Sequence, residues 1–473
     1  MILYRYRSID SALKEIEFGT FHFATRTELN DPVEGYIRVY WKGDKAAWEG
    51  LLRNYICSLK QAITAYRVCG DETLIHNNTL IIDLHRFDNT PAERIINMLG
   101  DRFLKNNEIQ KIATYYGAQD VIVNEKELHF ILFHAHRIAF TICIQADYDE
   151  GKISDKEFEI LLKPFLGEKD FSFPFDLFED ISLKPDRRLE IINTIENTLE
   201  DLLEYHYLQF GFKNEDAFLY GIRSDESGYA INTSKTEMAH QFRNWLSIVI
   251  DYPKIYINQI KAMLFPENYV VCFSGKNNNS SMWGNYADCH RGICFVYETR
   301  ENNKINLGER EEISLEIRHV TYGGDIIERN FFESLGKLNL NQIKTWLTGT
   351  EGLSSCYNVY LDGRLFREEY WKNFEDKTFR KLKSWEHEDE YRISIDNTFF
   401  SLEKPEERNI KYSNKDLKGV IFGINTSEYD KMQIMEKLIK KANEYSDLKF
   451  YQAEYDDEKQ IINIREKTVW KLE

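Results

Sequence analysis

The sequence predicts an α/β (α+β) protein, a mixed-sheet domain built from both chain ends, 1–40 and 266–473, and interrupted by a large helical insertion at 41–265. Three observations predict it. Short apolar or alternating runs of strand type gather near the two ends. The long stretch between them carries apolar residues at spacings of three and four. No Pro-, Gly- or Ser-rich linker and no internal repeat breaks the chain.

The N-terminal end reads as a strand at Ile2–Tyr6, a short helix near Ser11–Ile16 and a strand at Thr20–Ala24. Asn30-Asp31-Pro32 then stops it, because the proline ring excludes the αR conformation from the residue before it. In the insertion, Leu189, Ile192, Ile195, Leu199, Leu202 and Leu203 form an apolar stripe, and Met238–Ile250 repeats the spacing. Strand character returns at Tyr269–Phe273, Gly292–Val296 and Ile317–Tyr322, followed by a helical run over Ser354–Leu382. An alternating segment at Glu388–Ile395 precedes a β-α-β pattern: strand Val420–Gly423, helix Tyr429–Ala442, and strands at Phe450–Ala453 and Ile461–Ile464.

At 473 residues the chain is long enough for two or three cores, and 14% aromatic residues supply the bulk to fill them. Lys and Arg number 61 against 78 Asp and Glu, a net charge of −17, and such a surface repels a phosphate backbone. Bulk nucleic acid is therefore not an expected partner, whereas a local basic pocket for one nucleotide is compatible with that total. The seven cysteines are odd in number and scattered, as expected of reduced thiols. The N-terminus lacks an apolar signal core, and no run of about 18 uninterrupted apolar residues occurs. The expectation is a cytoplasmic protein without membrane contact.

Two constellations could carry chemistry. Cys272-Phe273-Ser274 and Ser281–Gly292 hold Trp283, Tyr286 and His290 between two predicted strands, where α/β proteins commonly build sites. The alternative is that Trp283 and Tyr286, three apart, are the packing face of a helix. Cys272, Cys289, His290 and Cys294 lack the paired spacing of a zinc site, so no metal is expected. The histidines at 129, 134 and 136 share no helical face at spacings of five and two, so a structural or surface role is expected of them. The second constellation is Trp385–Ile393. As a strand it turns Glu388, Glu390 and Arg392 to one face, a set suited to fixing a hydroxyl and stabilising a developing cation; a solvated charged strand is the alternative.

These residues carry a resemblance. Tyr4-Arg5-Tyr6, Phe21–Ala24, Leu29–Glu34 with Asn30 and Asp31, Cys272–Ser274, Met282–Ala287, His290-Arg291-Gly292, Trp385, Glu388 and Glu390-Tyr391-Arg392 resemble, in order, the signature of the bacterial family called domain of unknown function 2971. The resemblance covers residues about 1–40 and 265–425. A remoter similarity is to ADP-ribosyltransferase-like folds, with Arg5 on the first strand and Glu390 or Glu388 on a late one, although the first strand lacks a His. That likeness implies an enzyme using NAD as substrate, with Glu390, Glu388 and His290 catalytic and Arg5, Asn30, Asp31, Trp283, Tyr286 and Arg392 binding a small nucleotide. By analogy, an orphan family joined to a variable helical insertion fits a role in bacterial stress or phage defence. The competing expectation is a non-catalytic ligand sensor or interaction module, with the helical insertion as the surface for a protein partner.

Overall fold

The computed structural model describes residues 1–69, 91–118, 121–162, 173–175, 186–193, 247–300, 303–308, 310–398, 402, 404–445 and 447–467. Most of the stripe at 189–203 and of the segment at 238–250 lies outside them. The chain divides into two compact units: Met1–Ile37, Pro266–Ile327 and Trp371–Glu473 form the first, Arg38–Phe265 and Glu328–Tyr370 the second. Glu328–Tyr370, which the sequence pattern assigns to the α/β part, clusters with the helical unit. There its strand Glu328–Asn330 pairs in parallel with Arg38–Tyr40.

The first unit is built on an eight-stranded sheet. Its strands are β1 (Ile2–Arg7), β2 (Asn268–Ser274), β3 (Ile293–Glu298), β4 (Arg318–His319), β5 (Glu390–Asp396), β6 (Leu417–Phe422), β7 (Lys449–Asp456) and β8 (Ile461–Glu466), in the order β8-β7-β6-β3-β1-β2-β5-β4. The N-terminal strand thus lies inside the sheet, between two strands from the other chain end. Pairing is antiparallel except between β6 and β7, which run parallel because the helix α11 (Glu428–Ile439) crosses over between them.

One sheet face carries Leu3, Phe273, Phe295, Ile393 and Val420 and is covered by Ala12 and Ile16 of α1 (Ile9–Phe18) and by Ile434 and Leu438 of α11. The other carries Tyr6, Cys294, Val296 and Ile421 beneath Met282 and Trp283 of the short helix α8 (Ser280–Tyr286). Two apolar faces explain why β3 and β6 read as nearly continuous apolar runs. The helical run anticipated over Ser354–Leu382 resolves into a 3₁₀ stretch at Ser355–Tyr360, the helix α10 (Gly363–Thr378) and a short strand at Arg380–Lys381.

The sheet has a split. β1 pairs with β3 over its whole length, from Ile2–Glu298 to Arg7–Ile293, but meets β2 only at Tyr4–Ser274. On its far side β2 pairs with β5 from Glu390–Ser274 to Asp396–Asn268. In the gap Arg5 replaces a ladder bond, donating from Nη1 to the Cys272 carbonyl at 2.9 Å.

The second unit is mainly helical. Among the described residues its helices include α2 (Lys45–Cys69), α3 (Pro91–Leu104), α4 (Asn107–Tyr116), α5 (Glu125–Asp149), α6 (Asp155–Leu162), α7 (Tyr252–Lys261) and α9 (Leu340–Trp346). Among the described residues α5 is the one helix long and apolar enough to cross a membrane, and it is mostly buried inside this unit. His129, His134 and His136 are all buried on it. The Tyr55 hydroxyl meets His136 Nδ1 at 2.7 Å, and burial lowers that imidazole pKa to about 3, so it is neutral.

Candidate functional site

A cleft of about 850 Å³ follows the split in the sheet. Antiparallel register explains how it gathers residues from both sheet faces. Tyr4, Ser274 and Glu390 form one cross-strand row, so their side chains share a face, and Arg392 opposite Cys272 lies on that face too. Arg5 projects to the opposite face, and the gap beside it lets both sets open on the same space.

On the first wall, Glu15 of α1 is buried and accepts from Arg7 Nε at 2.9 Å, from Arg5 Nε at 3.3 Å and from the Tyr297 hydroxyl at 2.7 Å. Burial raises the Glu15 pKa, with Arg7 opposing. The Arg5 guanidinium also lies 5.2 Å from the Phe21 ring centroid and 5.5 Å from that of Phe273. Arg5 is only 5% exposed; the more accessible cations of this wall are Arg7 and Lys14.

The second wall is a buried charge cluster. Arg392 clamps Glu390 with two bonds, Nε to Oε1 at 2.6 Å and Nη2 to Oε2 at 3.0 Å, and also pairs with Glu34. Lys381 Nζ donates to Glu388 Oε2 at 2.6 Å and to Glu390 Oε2 at 3.0 Å, and lies 4.8 Å from the Trp385 ring centroid. The Tyr286 hydroxyl donates to Glu388 Oε1 at 2.6 Å. Burial pushes the Glu390 carboxyl up, but Arg392 and Lys381 outweigh it and bring the pKa down to about 2. Burial lowers the Lys381 pKa, yet Glu390, Glu34 and Glu388 reverse the sign and raise it. At Glu34 burial wins and the pKa is raised. Burial and the neighbouring Glu388 also raise the Tyr286 phenol.

Period-two alternation anticipates Glu388, Glu390 and Arg392 together, and they do meet, by a different route. Glu388 ends a 3₁₀ turn, Lys383–Glu388, and β5 starts only at Glu390. Asp389 between them is left-handed, φ 47°, and its carbonyl accepts from Gly275 N at 2.8 Å. A Cβ on Gly275 would lie 2.4 Å from Asp389 Oδ2, so that carboxylate would have to turn aside to admit a larger residue there.

Arg5, Asn30, Tyr286, Glu388, Glu390 and Arg392 line this cleft; Asp31, Trp283 and His290 do not. Asp31 is buried in the turn below, where its Oδ1 accepts from Val33 N at 3.1 Å and its carbonyl from Glu34 N at 3.1 Å, so it shapes the loop that carries Glu34. Trp283 is fully buried, edge-on to Tyr6 at 5.1 Å, with Nε1 donating to Asn277 O at 2.9 Å. His290 lines a separate cleft. Lys381, Glu34, Glu15 and Arg7 are not among the site residues the sequence pattern suggests. Glu34 sits at the end of the Asn30–Glu34 motif, which could have found it. Lys381, within Arg380-Lys381-Leu382-Lys383, carries no distinguishing pattern.

Residues 282–393 match the model of the family described as protein of unknown function (DUF2971). No curated protein and no solved structure matches the chain. The matched residues include Tyr286, His290, Lys381, Glu388, Glu390 and Arg392, while Arg5, Arg7, Glu15 and Glu34 lie outside the match.

Proposed function

We propose that the α/β unit binds a dinucleotide of NAD type in the cleft along the sheet split and cleaves its nicotinamide–ribose bond. The observation that supports this reading is the bipolar cleft: Arg7 and Lys14 open on one wall, and Glu388 with Tyr286 on the other. NAD has the complementary polarity, an anionic pyrophosphate and a cationic pyridinium. In the reaction the C1′–N bond breaks with its electron pair going to the pyridine nitrogen. Neutral nicotinamide leaves, and the oxygen of water or of an acceptor hydroxyl bonds to C1′ and releases a proton.

Glu388 is the carboxylate placed for the ribose. Its Oε1 is held by a phenol hydroxyl, an exchangeable partner, whereas Glu390 is fixed by a bidentate guanidinium and an ammonium. Glu390 then acts as a positioning residue through Lys381. A second reading, a non-catalytic nucleotide sensor, is favoured by one specific feature: both oxygens of Glu388 and of Glu390 already accept bonds within the protein.

Incubating the full chain with NAD and following nicotinamide release separates the two. Release should fall by two to three powers of ten in Glu388→Gln, about 3 kcal/mol of transition-state stabilisation, with NAD affinity little changed. Arg7→Ala should instead weaken NAD binding. Saturable NAD binding by calorimetry without release selects the sensor; no binding rejects both.

A further inference from the structure

His290 opens on its own cleft of about 580 Å³. The helix α8 serves both spaces, giving Met282 and Tyr286 to the first cleft and Ser280 to the second. An unusual backbone holds His290 in place. Asp288, Cys289 and His290 have φ of 45°, 52° and 68°, three successive left-handed residues without a glycine among them. Bonds on both sides secure the turn: His290 N donates to Trp283 O at 3.0 Å, Gly292 N to Ala287 O at 2.8 Å, and Asn425 N to His290 O at 2.9 Å. The result is an imidazole stacked on Trp283 at 6.3 Å and 14°. Its Nδ1 is buried without a hydrogen-bond partner, which leaves Nε2 as the accessible nitrogen. Burial lowers its pKa and favours the neutral ring.

The lining has a distinct chemistry. Among the described residues no Asp, Glu, Lys or Arg lines it, although 29% of the chain is charged. Asn278, Ser280, Asn425, Tyr455 and Gln460 supply amides and hydroxyls, and among the described residues their side chains make no hydrogen bond within the protein. Ile424, Ile461 and Ile462 supply the apolar surface.

We propose that this cleft is a second ligand site, separate from the first, for an uncharged purine nucleoside. Side-chain amides pair bidentately with the amino and N7 edge of adenine. The Tyr455 ring and the isoleucines offer the base a face to stack and pack on. Serine, amide and imidazole groups suit ribose hydroxyls, and the missing cations leave a phosphate uncompensated.

The test titrates the full chain with adenosine and, separately, with AMP, following the His290 imidazole signals in histidine-labelled protein, assigned with His290→Asn. Adenosine should shift them saturably with Kd on the order of 1 mM or tighter, and AMP should act at least tenfold more weakly. The double variant Asn425→Ala, Gln460→Ala should lower adenosine affinity at least tenfold, whereas Glu388→Gln in the first cleft should leave it unchanged. Absence of a saturable shift, an equal response to AMP, or loss of the response in Glu388→Gln would each overturn the proposal.

Discussion

Glu388 and Glu390 are two residues apart and similarly buried, yet their partners differ. Glu390 sits between a guanidinium and an ammonium, and Glu388 between an ammonium and a phenol. The pairing has a consequence for acid stability. The Glu390 pKa falls to about 2 on folding, from an ordinary glutamate value of about 4.3. The unfolded chain therefore binds more protons between those values. The contribution of Glu390 is fully present above pH of about 4.3 and is lost as pH falls toward about 2. Glu34 has the opposite sign, because its raised pKa makes the folded state take up its proton first. Comparing Glu390→Gln with the parent isolates the first effect: urea midpoints measured between pH 5 and 2 should fall less steeply in the variant. Parallel slopes would show that Arg392 and Lys381 do not hold the carboxylate as described.

At the scale of elements, close backbone approach fixes the strands and turns around α8. A Cβ on Gly292 would lie 2.1 Å from the Arg7 carbonyl oxygen, and one on Gly423 would lie 2.2 Å from that of His290. Gly284, inside α8, has nothing within 4 Å of its missing Cβ. Gly292→Ala and Gly423→Ala should each cost about 2–4 kcal/mol in chemical denaturation, since backbone has to move to admit the methyl. Gly284→Ala should be neutral or add about 1 kcal/mol, the usual preference of a helix interior for alanine. A destabilised Gly284→Ala together with a tolerated Gly423→Ala would contradict the packing around the His290 turn.

At the scale of the whole molecule, the α/β unit is assembled from three chain segments, and its sheet depends on the first of them. β1 lies between β3 and β2. Without it, the four strands on one side and the three on the other lose their common partner and expose two new edges. A fragment covering 266–473 should therefore retain secondary structure by far-UV circular dichroism but lose near-UV signal and aggregate. Adding a peptide of residues 1–37 should partly restore the signal. A soluble fragment with native-like near-UV spectrum would show that the N-terminal strand is dispensable.

Much of the sheet was legible locally. Apolar runs at Tyr269–Phe273 and Val420–Phe422, and the helix between two late strands, are short-range patterns that burial on both faces imposes on a strand. The same holds for the pairing of Glu390 with Arg392, which period-two alternation places on one face. Other features depend on contacts distant in sequence. Lys381 joins Glu388 and Glu390 because a two-residue strand pairs Arg380 and Lys381 with Thr321 and Tyr322. His290 leaves the carboxylates because a left-handed triplet turns it onto Trp283. Glu328–Tyr370 joins the helical unit through a strand paired with Arg38–Tyr40. By itself the sequence determined which segments become strands and helices, since side-chain periodicity is a property of neighbours in the chain. Only the tertiary structure decided which charged and polar groups share a cleft, because that depends on register, on the split between β1 and β2, and on backbone turns that no local pattern encodes.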